Sequence, residues 1–592
     1  MIEMYAMLKN SLEDFSKLYK KYILFELIFM IVSSFLFVPL ISYIYSRILI
    51  SMGSRSLINN DILKIVLSYE GIIGLLIVAI LSVTFIFIEF GVLIIISQKE
   101  YFEKEISILN SFITILKKVP KILSIEILPL TILLLLLIPF IDLPMSSELV
   151  QDVDLQYYIR RKIIDSYKYL AIYITLIFSL GYIFLRLIFT FHCIVIEGKS
   201  TLESIKCSWE LTDDNEISIL IKLILFNSII VMFGFFIISS LTFITNEIQY
   251  TINSNYLKEL FITLSGYVTY ALILLLLPVN VIFITRLYYS RNLKIEGKVT
   301  DKLVPYTNYS ISKLENKFYN LLYNRRHIVI LISIVALIIT FSINYFLNKD
   351  IMYLGRNISV AGHRGDMVSA PENSLSSIRS ALNKNIKYIE VDVQTTKDGI
   401  VILYHDINLR RLAGLSKNIS ELTYIELSEI DIGAGFSNKF EGERIPTLDD
   451  TLEEVKGKAQ LIIELKAYNS NDELVEKVIN IIEENNMESE VYIQSFDYNL
   501  LKKVRSINNN IKIGQIMYIA AGDLSYLDVD FYSIEKSMLS NKIIQHGRSN
   551  NREIWVWTVN NEDNIKETLK YDIDGIITDY PLKVKEIIEF SF

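Results

Sequence analysis

Cysteine, histidine and tryptophan are scarce in this chain, which has two, five and three of them among 592 residues. Two cysteines, Cys193 and Cys207, cannot form the framework of bridges that holds small secreted domains together. The net charge of −8 and the lack of a basic tract argue against nucleic acid as a partner. The sequence also lacks a nucleophile elbow, a P-loop and a glycine-rich dinucleotide turn, which disfavours acyl hydrolases, NTPases and dinucleotide-dependent oxidoreductases.

Hydrophobic residues, in contrast, make up 52% of the chain, and the mean hydropathy is +0.38. A helix that crosses a bilayer needs about 20 mostly apolar residues. Seven segments meet this requirement, at residues 22–46, 69–97, 122–142, 167–196, 217–245, 264–288 and 328–348. We therefore predict an all-α polytopic membrane domain of about seven transmembrane helices over residues 1–348.

Lysine and arginine are distributed unevenly between the loops that join these segments. Alternate loops, beginning with residues 1–21, hold 19 of these residues, and the other three loops hold 7. Because positively charged loops stay in the cytoplasm, the N-terminus is predicted to be cytoplasmic. Seven crossings of the cell membrane would then place everything after residue 348 outside the cytoplasm.

A short linker is predicted at 349–357, and the composition changes at residue 358. Eight β-rich runs alternate with amphipathic stretches, at residues 358–362, 388–393, 461–466, 491–495, 511–516, 530–535, 554–559 and 575–578. Eight strand–helix alternations in about 235 residues are typical of a (β/α)8 barrel, an α/β fold, so residues 358–592 are predicted to form a TIM barrel. Residues 400–405 form an extra strand in this interpretation, as a hairpin with the second strand.

Function in such a barrel gathers at the carboxyl ends of the strands. Glu390 and Asp392 are two residues apart, so they point to one face, and Glu464 ends the third strand. Three converging carboxylates make an oxygen-rich site, which predicts one divalent cation, Mg²⁺ or Ca²⁺. Two of the five histidines, His363 and His405, end neighbouring segments and could transfer protons near neutral pH.

Arg364 and Lys466 add positive charge suited to a phosphoryl oxygen. A metal site, two cations and two proton-transfer groups together favour phosphodiester cleavage. In a simpler interpretation, Glu390 and Asp392 are strand-end carboxylates paired with basic residues, and Arg364 is a structural ion-pair partner.

Eight motifs follow one another on these strand ends. They are H-R-G (363–365), P-E-N-S (371–374), E-V-D-V (390–393), D-G-I-V-I-L-Y-H-D (398–406), I-P-T-L (445–448), I-E-L-K (463–466), W-T-V-N (557–560) and D-G-I-I-T-D-Y-P (574–581). In this order they resemble the glycerophosphodiester phosphodiesterase family of the phospholipase-C-like phosphodiesterase barrels. The first 345 residues resemble the multi-helix membrane region fused to some members.

The resemblance implies a role for each matching residue. His363 and His405 match the catalytic acid/base pair, and Glu390, Asp392 and Glu464 match the metal ligands. Residues implied in substrate or phosphate binding are Arg364, Lys466, Glu372 and Trp557. Trp555 shares a strand face with Trp557, so one or both could instead fill the core. Asp406 is interpreted as a cap of the following segment, and Asp579 as a residue that fixes a loop.

The implied reaction converts a glycerophosphodiester to glycerol 3-phosphate and an alcohol. The expected partners are small glycerophosphodiesters or glycerophosphate polymers, and the lipid bilayer; the oligomeric state is left open. Two alternatives remain at this stage. One is a membrane receptor or transporter whose barrel only binds a glycerophosphate group, and the other is a phosphodiester lyase on the same fold.

Overall fold

A computed structural model describes residues 2–51, 56–59, 68–137, 167–252, 255–325, 327–328, 331, 334–335, 338–342, 358–466, 468 and 472–590. The chain divides into two compact units. The first consists of Met1–Ile48, Ser68–Pro144 and Leu155–Lys349, and the second of Leu49–Leu67, Met145–Asp154 and Asp350–Phe592. The predicted domain boundaries stay predictions, and the predicted linker 349–357 lies outside the described residues.

The described part of the chain before residue 326 is almost entirely helical. Its α-helices are Ile2–Val32, Val38–Ser51, Tyr69–Tyr101, Ile108–Leu116, Val119–Ile122, Leu128–Leu137, Tyr167–Arg186, Thr190–His192, Thr201–Thr212, Glu216–Ile252, Asn255–Glu296 and Tyr309–Asn324. Side-chain caps fix several of their starts: Ser68 accepts a hydrogen bond from Gly71, Ser107 accepts one from Asn110 and Ser200 accepts one from Glu203. Buried aromatic side chains, among them Phe87 and Phe283, lie in one hydrophobic cluster of this unit.

Five helices of the described residues are long and apolar enough to cross a membrane. They are Glu3–Ser51, Tyr69–Tyr101, Ala171–Glu197, Glu216–Thr245 and Leu260–Glu296. Five of the seven predicted spans coincide with them. The other two, 122–142 and 328–348, fall partly outside the described residues, so the number of seven stays a prediction.

The described residues contain eleven strands, labelled β1 to β11 in chain order. They are Ser56–Ile58, Ser359–Gly362, Tyr388–Thr395, Val401–Leu403, Gln460–Leu465, Val491–Ser495, Lys512–Met517, Ala520–Gly522, Phe531–Glu535, Glu553–Trp557 and Gly575–Thr578. Eight parallel strands form a closed barrel in the order β2-β3-β5-β6-β7-β9-β10-β11, because β11 pairs with β2 and β2 with β3. β4 adds to β3 antiparallel, and β1 pairs antiparallel with β8.

Helices surround this barrel. They are Leu375–Asn383, Arg410–Ala413, Tyr424–Ser428, Leu448–Val455, Asp472–Glu484, Tyr498–Ile507, Asn541–Ser549, Glu562–Thr568 and Pro581–Phe590. One large cluster of buried aliphatic residues packs the helices against the outside of the strands. A second, smaller cluster includes Phe531 and the buried Trp555. The prediction that one of the two tryptophans, Trp555 or Trp557, fills the core is therefore confirmed for Trp555.

The predicted (β/α)8 barrel is confirmed, and all eight predicted strands appear within two residues of their expected ends. The predicted hairpin of residues 400–405 is confirmed as β4. The register of the parallel strands places Asp392 directly beside Glu464. This pairing brings together carboxylates that are 72 positions apart in the chain.

Candidate active site

The backbone after β2 turns sharply, which sets the position of the first functional segment. Arg364 and Gly365 adopt left-handed conformations with φ of +55° and +85°. A Cβ atom on Gly365 would lie 2.3 Å from Ser377 Oγ, so only glycine fits there. The turn brings the Arg364 backbone N–H to Glu390 Oε2 at 3.0 Å, and thus joins the H-R-G motif to β3.

Three buried carboxylates lie at the carboxyl ends of β3 and β5. Oxygen atoms of Glu390, Asp392 and Glu464 all lie within 4.8 Å of one another. Burial raises the pKa of Glu390 and of Glu464, and the nearby Asp392 carboxylate raises both further. Burial also disfavours the charged form of Asp392, but the positive charges of Lys466 and Arg364 have the larger effect, so the pKa of Asp392 is lowered. The three carboxyl groups of the cluster therefore lie close together and away from water.

Two cations balance part of the negative charge of this cluster. The Lys466 ammonium lies 2.8 Å from Asp392 Oδ1 and also contacts Glu464. The Arg364 guanidinium lies 3.3 Å from Asp392 Oδ2, and Asn373 donates a hydrogen bond to the same oxygen at 2.8 Å. The three carboxylates still exceed the two cations by one negative charge.

The donor set fits a hard divalent cation. Asp392 Oδ1 is buried and accepts no well-aligned hydrogen bond within the described residues, although Lys466 is close to it. Carboxylate oxygens are the ligands that Mg²⁺ and Ca²⁺ prefer, and a divalent ion would reverse the sign of the remaining charge. The three residues that would hold it are those that the sequence predicted.

Each of the two site histidines is backed by a carboxylate. His363 Nδ1 lies 2.6 Å from Asp579 Oδ1, and His405 Nδ1 lies 2.7 Å from Asp406 Oδ1. Because Nδ1 is engaged in both rings, Nε2 is the nitrogen left to exchange a proton with a bound molecule. Asn560 donates to the other oxygen of Asp579 at 2.6 Å, and so fixes that carboxylate.

The surroundings shift the pKa values of His363 and His405 in opposite directions. Burial disfavours the charge on His363, but the hydrogen bond to Asp579 and the nearby Glu390 carboxylate prevail, so its pKa is raised. For His405 burial prevails over the attraction of Asp392, and its pKa is lowered. A pair of proton-transfer groups with separated pKa values can serve as acid and base.

Glu372 holds two arginines in the site. It accepts from Arg364 Nη1 at 2.8 Å, and both terminal nitrogens of Arg411 bind it at 2.7 Å. Arg411 Nε also donates to Asp406 Oδ2 at 2.7 Å. A continuous chain of charged groups thus connects Arg364 with His405, through Glu372, Arg411 and Asp406.

Sequence reasoning missed the carboxylate partners of the histidines. Asp406 caps no helix, since the helix Arg410–Ala413 begins without a side-chain cap, and the predicted capping role is wrong. Asp579 contacts His363 in addition to fixing its loop. The position of Asp406 next to His405 could have indicated their contact. Asp579 directly follows β11, which pairs with β2, so it lies at the same edge of the barrel as His363.

Trp557 lies at the end of β10, and its indole N–H donates to the Ser533 carbonyl at 3.0 Å. Only the ring is therefore free to contact a bound molecule. The Phe496 ring lies 5.8 Å away, edge to face, and the Tyr518 ring lies 6.0 Å from Phe496. We call Phe496, Tyr518 and Trp557 the aromatic wall; Phe496 and Tyr518 were not predicted.

Comparison with known protein families gives two matches along the chain. Residues 8–346 match the family described as the membrane domain of glycerophosphoryl diester phosphodiesterase. Residues 363–583 match the glycerophosphoryl diester phosphodiesterase family. The first match alone spans more than half of the chain.

Similar proteins cover the barrel. The chain is 32% identical over 231 residues to a glycerophosphodiester phosphodiesterase of Caldanaerobacter subterraneus, a match of 38% of this chain and 94% of the relative. A similar solved structure, 24% identical, is an Oleispira antarctica phosphodiesterase in complex with the product sn-glycerol-3-phosphate, with 39% of this chain and 96% of that chain covered and a TM-score of 0.37. A glycerophosphodiester phosphodiesterase of Agrobacterium tumefaciens is 25% identical, with 38% and 99% covered and a TM-score of 0.35.

Proposed function

We propose a reaction for this chain, which belongs to the glycerophosphodiester phosphodiesterase family and is a phosphoric diester hydrolase with a membrane domain. Its barrel hydrolyses glycerophosphodiesters to glycerol 3-phosphate and an alcohol. The observation that carries this proposal is the pair of carboxylate-backed histidines beside the three-carboxylate cluster. A protein that only bound a glycerophosphate group would have no use for two such proton-transfer groups.

In the proposed mechanism His363 and His405 carry the protons. One imidazole takes a proton at Nε2 from the nucleophile, which is water or the glycerol 2-hydroxyl. With the 2-hydroxyl a cyclic phosphate forms first, and water then opens it to glycerol 3-phosphate. The other gives its proton to the departing alkoxide oxygen. Asp579 and Asp406 hold the rings in orientation through Nδ1 and stabilise the imidazolium.

The phosphoryl group needs positive charge around it as its oxygens gain negative charge. Arg364 and Lys466 supply two fixed cations, and Glu372 keeps the Arg364 guanidinium in place. A divalent cation, Mg²⁺ or Ca²⁺, would be held by Glu390, Asp392 and Glu464 and would supply Lewis-acid stabilisation of the phosphoryl oxygens. The Trp557 ring would cover an apolar part of the substrate.

Glycerophosphocholine tests the reaction directly. The full-length protein in detergent, given this substrate and Mg²⁺ or Ca²⁺, is expected to release equal amounts of choline and glycerol 3-phosphate, measured by enzymatic assay and ³¹P NMR. A cyclic glycerophosphate as the final product would favour the lyase. No turnover with either metal, although the substrate binds, would favour the receptor or transporter.

We further propose that the barrel lies outside the cytoplasm of a cell-membrane protein whose N-terminus is cytoplasmic. The pairing of β1 with β8 supports a common side for residues 56–58 and the barrel. The predicted topology meets this requirement, because residues 47–68 form an outer loop and six predicted crossings follow. An even number of crossings after residue 59 is what the pairing demands.

Cysteine labelling in intact cells tests this orientation. Ser416 is exposed between β4 and β5, and Lys298 is exposed beyond the helix Asn255–Glu296, whereas the native Cys193 and Cys207 are buried. A membrane-impermeant maleimide is expected to label Ser416→Cys in intact cells and Lys298→Cys only after permeabilisation. The reverse pattern would show a cytoplasmic barrel.

A further inference from the structure

The compact unit that contains the barrel also includes a strand from far outside the barrel's own stretch of sequence, in a separate two-stranded sheet. β1 lies between the candidate spans Glu3–Ser51 and Tyr69–Tyr101, yet it pairs antiparallel with β8. Ile58 is buried in the main hydrophobic cluster of the barrel, with 5% of its surface exposed. A loop between two apolar helices therefore supplies part of the barrel core.

Asn59, the residue after β1, is fixed by four hydrogen bonds. Its backbone N–H donates to the Ile519 carbonyl at 3.0 Å, and its side-chain Oδ1 accepts from the Tyr518 N–H at 3.0 Å. Its Nδ2 donates to the carbonyls of Ile516 and Phe496, at 2.7 and 3.5 Å. Only 6% of Asn59 is exposed.

These bonds join the two segments that carry the aromatic wall. Phe496 follows β6 and Tyr518 follows β7, and both strands end at the face where the candidate active site lies. Phe496 is two positions beyond Gln494, which pairs with Glu464 of the carboxylate cluster. Asn59 thus ties the backbone of Phe496 and Tyr518 together beside the site.

The backbone conformation of Asn59 is also one that favours asparagine at this position. Its φ is +52°, a left-handed conformation that asparagine tolerates better than most residues. An exposed loop that touched the barrel by chance would not bury a polar side chain with all of its bonding groups matched. The two barrel segments are also joined directly, because Gln515 Nε2 donates to the Phe496 carbonyl at 3.1 Å. Asn59 adds a second connection, and it alone of the two bonds the Tyr518 N–H.

We propose that Asn59 is a positioning residue for the substrate, which helps to hold the aromatic wall in place from a segment that precedes the barrel by about 300 residues. This inference rests on the proposed phosphodiesterase function. Without the bonds from Asn59, Gln515 still joins the two segments, but the Tyr518 backbone loses this partner and the wall is held less firmly against the glycerophosphodiester. The metal cluster and the histidines, which lie on β2 to β5, keep their geometry.

The test compares Asn59→Ala with Asn486→Ala in the full-length protein. Asn486 also has a positive φ, of 51°, but it is exposed and precedes β6 at the opposite end of that strand, so it controls for backbone strain. Asn59→Ala is expected to raise the KM for glycerophosphocholine about tenfold, with kcat changed less than about twofold, because buried hydrogen bonds are lost. Asn486→Ala is expected to leave both constants unchanged.

A double-mutant cycle with Phe496→Ala identifies the route of the effect. If Asn59 acts through the aromatic wall, the double variant raises KM no further than the larger single effect. Additive effects on KM, or a fall in kcat as large as the rise in KM, would overturn the proposal.

Hydrogen exchange of residues 516–522 gives a readout that does not depend on turnover. Asn59→Ala is expected to speed exchange of the Tyr518 amide, whereas Asn486→Ala leaves it unchanged. Equal exchange in both variants would overturn the proposal even if the protein hydrolysed no glycerophosphodiester. A faster Tyr518 amide in a protein without turnover would contradict only the proposed reaction.

Discussion

His363→Ala is expected to lower kcat for glycerophosphocholine about 10³-fold, within the range of about 10²–10⁴ that general acid–base catalysis contributes. The variant removes the Nε2 that exchanges the proton, and leaves the carboxylate cluster and Lys466 untouched. KM is therefore expected to change only a few-fold. His405→Ala should have an effect of the same order, and the double variant should fall little further, because the two imidazoles act as a unit.

His546→Ala is the matched control, since His546 lies on the same barrel and contacts Asp523 at 3.4 Å, away from the candidate active site. It should retain wild-type kcat. Asp579→Asn keeps the shape of the residue but removes the carboxylate beside His363, so it should lower kcat by less than His363→Ala does. A His363→Ala variant with kcat within a few-fold of wild type would exclude this residue from proton transfer.

Removal of divalent metal is expected to have an effect at least as large. Chelation with EDTA should abolish turnover, and Mg²⁺ or Ca²⁺ should restore it, because the three carboxylates without a cation repel an anionic substrate. Asp392→Asn and Glu464→Gln should each weaken metal binding more than about 100-fold. Mutation of a residue that only hydrogen-bonds to a metal ligand already lowers metal affinity about 10- to 100-fold. Isothermal titration calorimetry with each metal measures binding independently of activity.

Glu562→Gln serves as the control for charge alone. Glu562 lies exposed on the barrel surface, where it forms an ion pair with Lys566. Its metal affinity and its turnover should match wild type. Full activity in metal-free buffer, with metal content checked by mass spectrometry, would contradict the role of the carboxylate cluster.

The barrel was predictable because each of its elements carries a local pattern. β3 and β5 read as β-rich runs, and the helix Asp472–Glu484 is amphipathic, so the order of elements follows from the sequence. The convergence of Glu390, Asp392 and Glu464 was also predictable, since parallel strands bring their carboxyl ends to one edge. The helix Glu216–Ile252 ended seven residues later than its predicted span, because apolar length marks the bilayer and not the end of a helix.

Contacts between distant segments could not be predicted in this way. No periodicity connects Asp579 with His363, which are 216 positions apart, and Arg411 reaches Glu372 from the segment between β4 and β5. Asn59 is further still, 459 positions from Tyr518, in a loop between two predicted spans whose composition gives no sign of a contact with the barrel. Such contacts depend on the closure of the barrel and on loop paths, which a single sequence does not encode locally.

The sequence by itself determined the class of this protein: apolar segments long enough for a bilayer, a (β/α)8 barrel, and the set of carboxylates, histidines and cations that suits phosphodiester cleavage. These follow from hydrophobic period and from residue chemistry at strand ends, which are local properties. Only the tertiary structure decided which groups orient the reactive ones, namely Asp579, Asp406 and Arg411, and that Asn59 bonds the segments of Phe496 and Tyr518. Their roles arise from hydrogen bonds across the fold, whose geometry exists only once the barrel has closed.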